Sequence, residues 1–97
     1  MFTVSELETV SEWLEGLKDR KGAGVIASRI HRLSLGNKGN VKAVGEGVSE
    51  LKVDFGPGYR VYFVERGGSV IILMCGGDKS SQNRDVALAK TLAKELE

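Results

Sequence analysis

The polar and apolar positions of this 97-residue chain change period several times. Residues 2–4, Phe-Thr-Val, are apolar or β-branched and predict a short first strand. Ser5 and Glu8 fit a capping box, and Leu7, Val10, Leu14 and Leu17 then recur at helical spacing, predicting a helix over about residues 5–19. RKGAG interrupts it, because Gly22 and Gly24 are poor helix residues. Val25, Ile26, Ile30 and Leu33 predict a second amphipathic helix, stopped by Gly36. So short a connection predicts an antiparallel helical hairpin. Residues 36–47, GNKGNVKAVGEG, are glycine-rich and aperiodic, and read as a loop carrying Lys38 and Lys42.

From Val48 the period becomes two. Leu51, Val53 and Phe55 alternate with Glu50, Lys52 and Asp54. Gly56-Pro57-Gly58 predicts a turn into a strand over 59–65, with Tyr59, Val61 and Phe63 on one side and Arg60 and Tyr62 on the other. RGG at 66–68 predicts a second turn. SVIILMC is apolar on both faces and predicts a central, covered strand. GGDKSSQNR reads as a polar loop, in which Asp78 or a nearby serine serves the turn and the helix cap. Val86, Ala89, Leu92, Ala93 and Leu96 predict a last helix over about 83–96.

The resulting order is β-α-α-β-β-β-α. It predicts a single α+β domain over residues 1–97, with two N-terminal helices packed on an antiparallel sheet of about four strands and a C-terminal helix. Pairing the two alternating strands core to core sets their register. It gathers Lys52, Arg60 and Tyr62 on the other, open face, beside Glu50. Such a face is either a solvated surface with a cross-strand ion pair or a docking surface for something flat and anionic.

Composition adds bounds. The net charge of +1 excludes a general polycation, so nucleic-acid binding requires local clustering of charge. The lone Cys75 allows no internal disulfide and no Cys-x-x-Cys pair, and its apolar surroundings predict a core residue. No segment has the length of a membrane span or the pattern of a signal peptide, which predicts a cytoplasmic protein. GPGYRV and GEGVSE do not complete a dinucleotide loop, and no His/Cys/Asp cluster has metal-ligand spacing. His31, beside Arg29 and Arg32 in a helix, reads as a structural or surface histidine.

Three segments, WLEGLKD, RIHRLSLGNKGNVKAVGEGVSELKVDFGPGYRVYF and LMCGGDKSSQ, together resemble the addiction-module killer proteins. These are small phage- and plasmid-type toxins of the RelE/HigB/ParE superfamily. The likeness runs from about Phe2 to Leu92. It implies a RelE-like fold and the toxin half of a bacterial type II toxin–antitoxin pair, held in a hetero-oligomer by a helix-turn-helix antitoxin. Relatives of the RelE and HigB type cleave mRNA in the ribosome without a metal cofactor. The ribose 2′-hydroxyl attacks the adjacent phosphate, which needs a base, positive charge for the phosphorane and an acid for the leaving oxygen. Carried over by position, the resemblance implies catalytic roles for Lys52, Arg60 and Lys79. It implies RNA contacts for Tyr62, as a stacking platform, and for Lys38, Lys42 and Arg84. Two departures stand out: SSQNRDV lacks the tyrosine common in RelE-type toxins, and the single histidine lies outside the sheet. ParE-type members share the fold and bind DNA gyrase without cleaving RNA. A degenerate toxin that only binds antitoxin is a further alternative.

Overall fold

In the computed structural model, which describes residues 1–96, nine elements alternate along the chain. Strand β1 (Thr3–Glu6) leads into helices α1 (Glu8–Gly16) and α2 (Arg20–Ser34). Strands β2 (Val41–Gly45), β3 (Val48–Val53), β4 (Tyr59–Arg66) and β5 (Val70–Gly77) follow. A single 3-10 turn (Lys79–Ser81) then opens α3 (Gln82–Glu95). The five strands form one mixed sheet in the order β1-β5-β4-β3-β2, with β1 parallel to β5 and the other pairs antiparallel. This corrects the expected antiparallel sheet of about four strands in both number and order.

The extra strand is β2, inside the segment read as a loop. Its residues are mostly exposed, so burial imposes no clean alternation on them. What makes the strand is the turn after it. Glu46 (φ 54) and Gly47 (φ 79) both take left-handed backbone, the geometry that folds a two-residue hairpin back with the twist of its strands.

The helix boundaries also shift. Ser5 belongs to β1, and α1 starts after Leu7 with no side-chain cap, so the capping box does not form. The break falls at residues 17–19 rather than at the glycines. Asp19 caps α2 by accepting from the Gly22 amide at 2.9 Å, and Arg20 Nη1 donates to the Leu17 carbonyl at 3.0 Å. A satisfied cap outweighs the poor propensity of Gly22 and Gly24, which lie inside the helix. The end at Gly36 is as expected. Its φ is +90, its amide meets Leu33 O, and the Asn37 amide meets Arg32 O.

The sheet separates two cores. On one face Val10, Ile26 and Leu33 from α1 and α2 cover Leu51, Val53, Tyr59, Val61, Phe63, Ile71 and Leu73. On the other, Ala89 and Ala93 of α3 cover Val48, Tyr62, Val64, Met74 and Cys75. Ile71 and Leu73 face one core while Met74 and Cys75 both face the other, because a bulge opposite Tyr62 and Phe63 reverses the alternation in β5. No helix among the described residues is long and apolar enough to cross a membrane.

Candidate functional site

The β3–β4 register pairs Lys52 with Arg60 and Glu50 with Tyr62, as the core-to-core argument requires. Adding the flanking strands gives two rows across the α3 side of the sheet. One runs Gly77, Arg60, Lys52, and the next Cys75, Tyr62, Glu50, Lys42. The face they share is not open. α3 lies over it, Tyr62 is completely buried, and Arg60 is only 6% exposed. The expected open docking face is therefore corrected. The alternating pattern of β4 fixed which residues share a side but carried no information about a helix arriving from the end of the chain.

Arg60 and Glu50 dominate this buried layer. Arg60 Nη1 donates to the Gly58 carbonyl at 2.8 Å, and its Nε stands 3.8 Å from Glu50 Oε1. Glu50, 2% exposed, accepts from Gln82 Nε2 at 2.9 Å, and Lys42 Nζ lies 3.9 Å from its other oxygen. The Tyr62 hydroxyl is directed into the same layer but makes no hydrogen bond to the described residues. Burial, and then the charge of Glu50, raises its pKa above the ordinary tyrosine value. Burial likewise pushes the Cys75 thiol up to about 12, in keeping with a core residue.

The rim of the layer is cationic. Lys52 is half-buried beside Arg60, and Lys79 is exposed in the turn after β5. Gly58 lies beside Arg60 and Lys79: a Cβ there would sit 3.4 Å from Arg60 Nη1 and 4.0 Å from Lys79 Cβ. Asp78 accepts from the Ser80 amide at 2.8 Å, the capping role expected of it. Hydrogen bonds from Ser80, and more weakly the charge of Arg60, hold its carboxyl below the ordinary value.

The two glycines that precede Asp78 have separate packing reasons. A Cβ on Gly76 would overlap the Trp13 ring on the α1 side, and one on Gly77 would overlap Asp85 and Ser81 on the α3 side. Asp85 is buried and accepts from the Ser81 hydroxyl. Thus GGD in the sequence marks the place where both helix layers close on the end of β5.

The remaining sequence candidates are spread out. Lys42 joins the layer through Glu50. Arg84 points into solvent from the first turn of α3, near Asp85. Lys38 pairs with Glu65 at 3.0 Å, toward the other end of β4 from Arg60. Tyr62 offers no ring face to solvent as the protein stands. His31 is exposed near the end of α2. Glu50, Gln82 and Asp85 were not singled out from sequence as functional. Glu50 occupies the same alternating polar pattern whether its face is bare or covered, Gln82 falls in the segment read as a polar loop, and Asp85 reads as an ordinary polar residue of the last helix.

Chemically, the rim brings Arg60 and Lys79 together at Gly58, with Lys52 paired across the strands to Arg60 and the Asp78 carboxylate close enough to feel the arginine's charge. This suits an anion, with the guanidinium braced from behind by a carbonyl and a carboxylate. A relative in Haemophilus influenzae carrying the description "Uncharacterized protein" is 48% identical over 88 residues, 91% of this chain and 89% of that protein. No solved structure matches the chain. The family model "Phage derived protein Gp49-like (DUF891)" matches residues 12–97, which include every element from within α1 onward. The chain therefore belongs to the Gp49-like family of phage-derived proteins.

Proposed function

We propose that the protein is the toxin of a type II toxin–antitoxin module and acts as a metal-independent, ribosome-dependent mRNA endoribonuclease. The observation that carries this reading is the direct cross-strand pairing of Lys52 with Arg60 at a rim shared with Lys79. Membership in a phage-derived family suits a mobile addiction module. In this reading Arg60 stabilises the charge that builds on the scissile phosphate. Lys52 or Lys79 takes the proton from the 2′-hydroxyl as it attacks phosphorus, the bond from phosphorus to the 5′-oxygen breaks, and water protonates that oxygen, leaving a cyclic phosphate and a free 5′-hydroxyl. Lys42 and Arg84 contact RNA backbone on either side. The natural partner is a helix-turn-helix antitoxin encoded by the adjacent gene, whose acidic or amphipathic segment covers the rim at nanomolar affinity.

Primer extension on mRNA from cells expressing the protein tests the reading. Discrete cuts within translated codons are expected, and their absence during growth arrest would overturn it. A second reading is favoured by the near-complete burial of Arg60 and Tyr62. In it the toxin binds a target such as DNA gyrase without cleaving RNA, and growth arrest then occurs with mRNA intact.

A further inference from the structure

Glu50 is a buried carboxylate to which the proposed chemistry assigns no task. Taking a carboxylate out of water is costly unless close hydrogen bonds repay it. Glu50 receives one, from Gln82 at 2.9 Å. Its distance to Arg60 Nε, 3.8 Å, is too long for a hydrogen bond, and both that nitrogen and the Tyr62 hydroxyl are buried without partners among the described residues. As a device for folding stability the cluster is poor, because apolar side chains in the same space would match Val48, Met74 and Cys75 around it. What it does supply is direction.

We propose that Glu50 is a positioning residue for Arg60. Its carboxylate, anchored by Gln82 at the start of α3, draws the Nε edge of the guanidinium inward. The Gly58 carbonyl fixes Nη1 at 2.8 Å. The guanidinium is thus held by an ion pair on its Nε side and a hydrogen bond at Nη1. The nitrogen at the rim is Nη1, since a Cβ on Gly58 would sit 3.4 Å from it and 4.0 Å from Lys79 Cβ, and its remaining N–H is the one available to an anion there. Planarity matters here: an attraction at Nε and a hydrogen bond at Nη1 together set the plane of the guanidinium, whereas an ammonium in the same place would not be oriented. Gln82 makes the arrangement a joint between β3 and α3, so the same contact seats the helix and aims the arginine. The proposal deepens the nuclease reading and rests on it for the ligand, an RNA phosphate.

Two measurements on Glu50→Gln test it, since this change keeps the size of the side chain and removes its charge. The first is ¹⁵N relaxation of the Arg60 Nε–Hε group, identified by its loss in Arg60→Lys. A rigid signal in the native protein should become mobile in Glu50→Gln while the backbone amide spectrum stays that of the folded chain. An equally rigid Arg60 in folded Glu50→Gln overturns the proposal. If Glu50→Gln fails to fold, Gln82→Ala removes only the anchoring hydrogen bond, and an undisturbed Arg60 there overturns it equally.

The second measurement is binding of a 2′-O-methyl RNA decamer, which cannot be cleaved, by fluorescence anisotropy. Glu50→Gln and Arg60→Lys should each weaken binding about tenfold, and the double variant should be no weaker than Arg60→Lys alone. Losses that multiply in the double variant mean that Glu50 acts independently of Arg60, which sinks the proposal. A native protein that binds no RNA while Glu50→Gln loosens Arg60 refutes the nuclease reading and leaves the positioning role standing.

Discussion

The hydroxyl of Tyr59 donates a 2.7 Å hydrogen bond to the carboxylate of Asp19, joining the first residue of β4 to the cap of α2. Trp13 of α1 meets the Tyr59 ring edge-on, with centroids 6.1 Å apart. Both N-terminal helices thus meet β4 one residue before Arg60. The bond lowers the pKa of Asp19, aided by the Gly22 amide, and together with burial pushes Tyr59 up to about 12.

The pH dependence of stability follows from those directions. Asp19 protonates less readily in the folded chain, so its contribution is present above the ordinary value of 3.8 and is lost as pH falls through the lower folded value. On the alkaline side, Tyr59 and Cys75 keep their protons up to about 12, against 10.0 and 9.0 when free, and Tyr62 is raised too. The unfolded chain ionises first, so stability is full below about pH 9 and declines between about 9 and 12. Melting temperature against pH should show both limbs. Asp19→Asn should flatten the acid limb and Tyr59→Phe should reduce the alkaline one. A Tyr59→Phe curve with the native alkaline slope would contradict the assignment.

Gly22 and Gly24, two residues apart in α2, should respond oppositely to alanine. A Cβ on Gly22 would overlap Asp19 and the Tyr59 ring, whereas nothing lies within 4 Å of one on Gly24. Gly24→Ala should gain about 0.5–1 kcal/mol from helix propensity and a stiffer unfolded chain. Gly22→Ala should lose roughly 1–3 kcal/mol through overpacking at the cap. Urea unfolding of both variants checks the sign.

Tyr62→Phe removes a hydroxyl that is buried without a partner. Its loss should leave stability unchanged or raise it by up to about 1 kcal/mol. Growth arrest should persist in this variant, because the ring is covered by α3. If growth arrest disappears while the melt is native-like, the hydroxyl is used in a state in which α3 has moved.

If the proposed nuclease reading holds, Arg60→Ala should abolish growth arrest, since losing a charge partner of the transition state costs on the order of a hundredfold in rate, roughly 3 kcal/mol. It also leaves Glu50 buried with only Lys42 and Gln82 nearby, so a loss of roughly 1–3 kcal/mol in stability is expected as well. Arg60→Lys separates the two effects by retaining the charge but not the fork. Lys should restore part of the stability and little of the toxicity. A folded Arg60→Ala protein that still arrests growth removes Arg60 from the mechanism.

Periodicity by itself determined the two-sidedness of β3 and β4, and with it the pairing of Lys52 with Arg60. A strand has a period of two, and the apolar residues Leu51, Val53, Val61 and Phe63 leave a single register that buries them together. It also determined the helical character of α3 and the glycine stop after α2. Tertiary structure decided the rest. Whether the second face of the sheet is wet or dry depends on where α3 docks, and an alternating strand looks the same in either case. β2 is an edge strand with little burial, so its formation rests on turn geometry and pairing rather than on pattern. β1 adds in parallel beside β5 through contacts between residues some 67 apart in the chain (Thr3 with Val70), beyond the reach of any local signal. The bulge in β5 turns Met74 and Cys75 to the same side, and a run apolar on both faces cannot reveal that reversal. The linkage of Glu50, Arg60 and Gln82 exists only because helix and sheet close on one another, which places a carboxylate, a guanidinium and an amide from three separate segments in one buried layer.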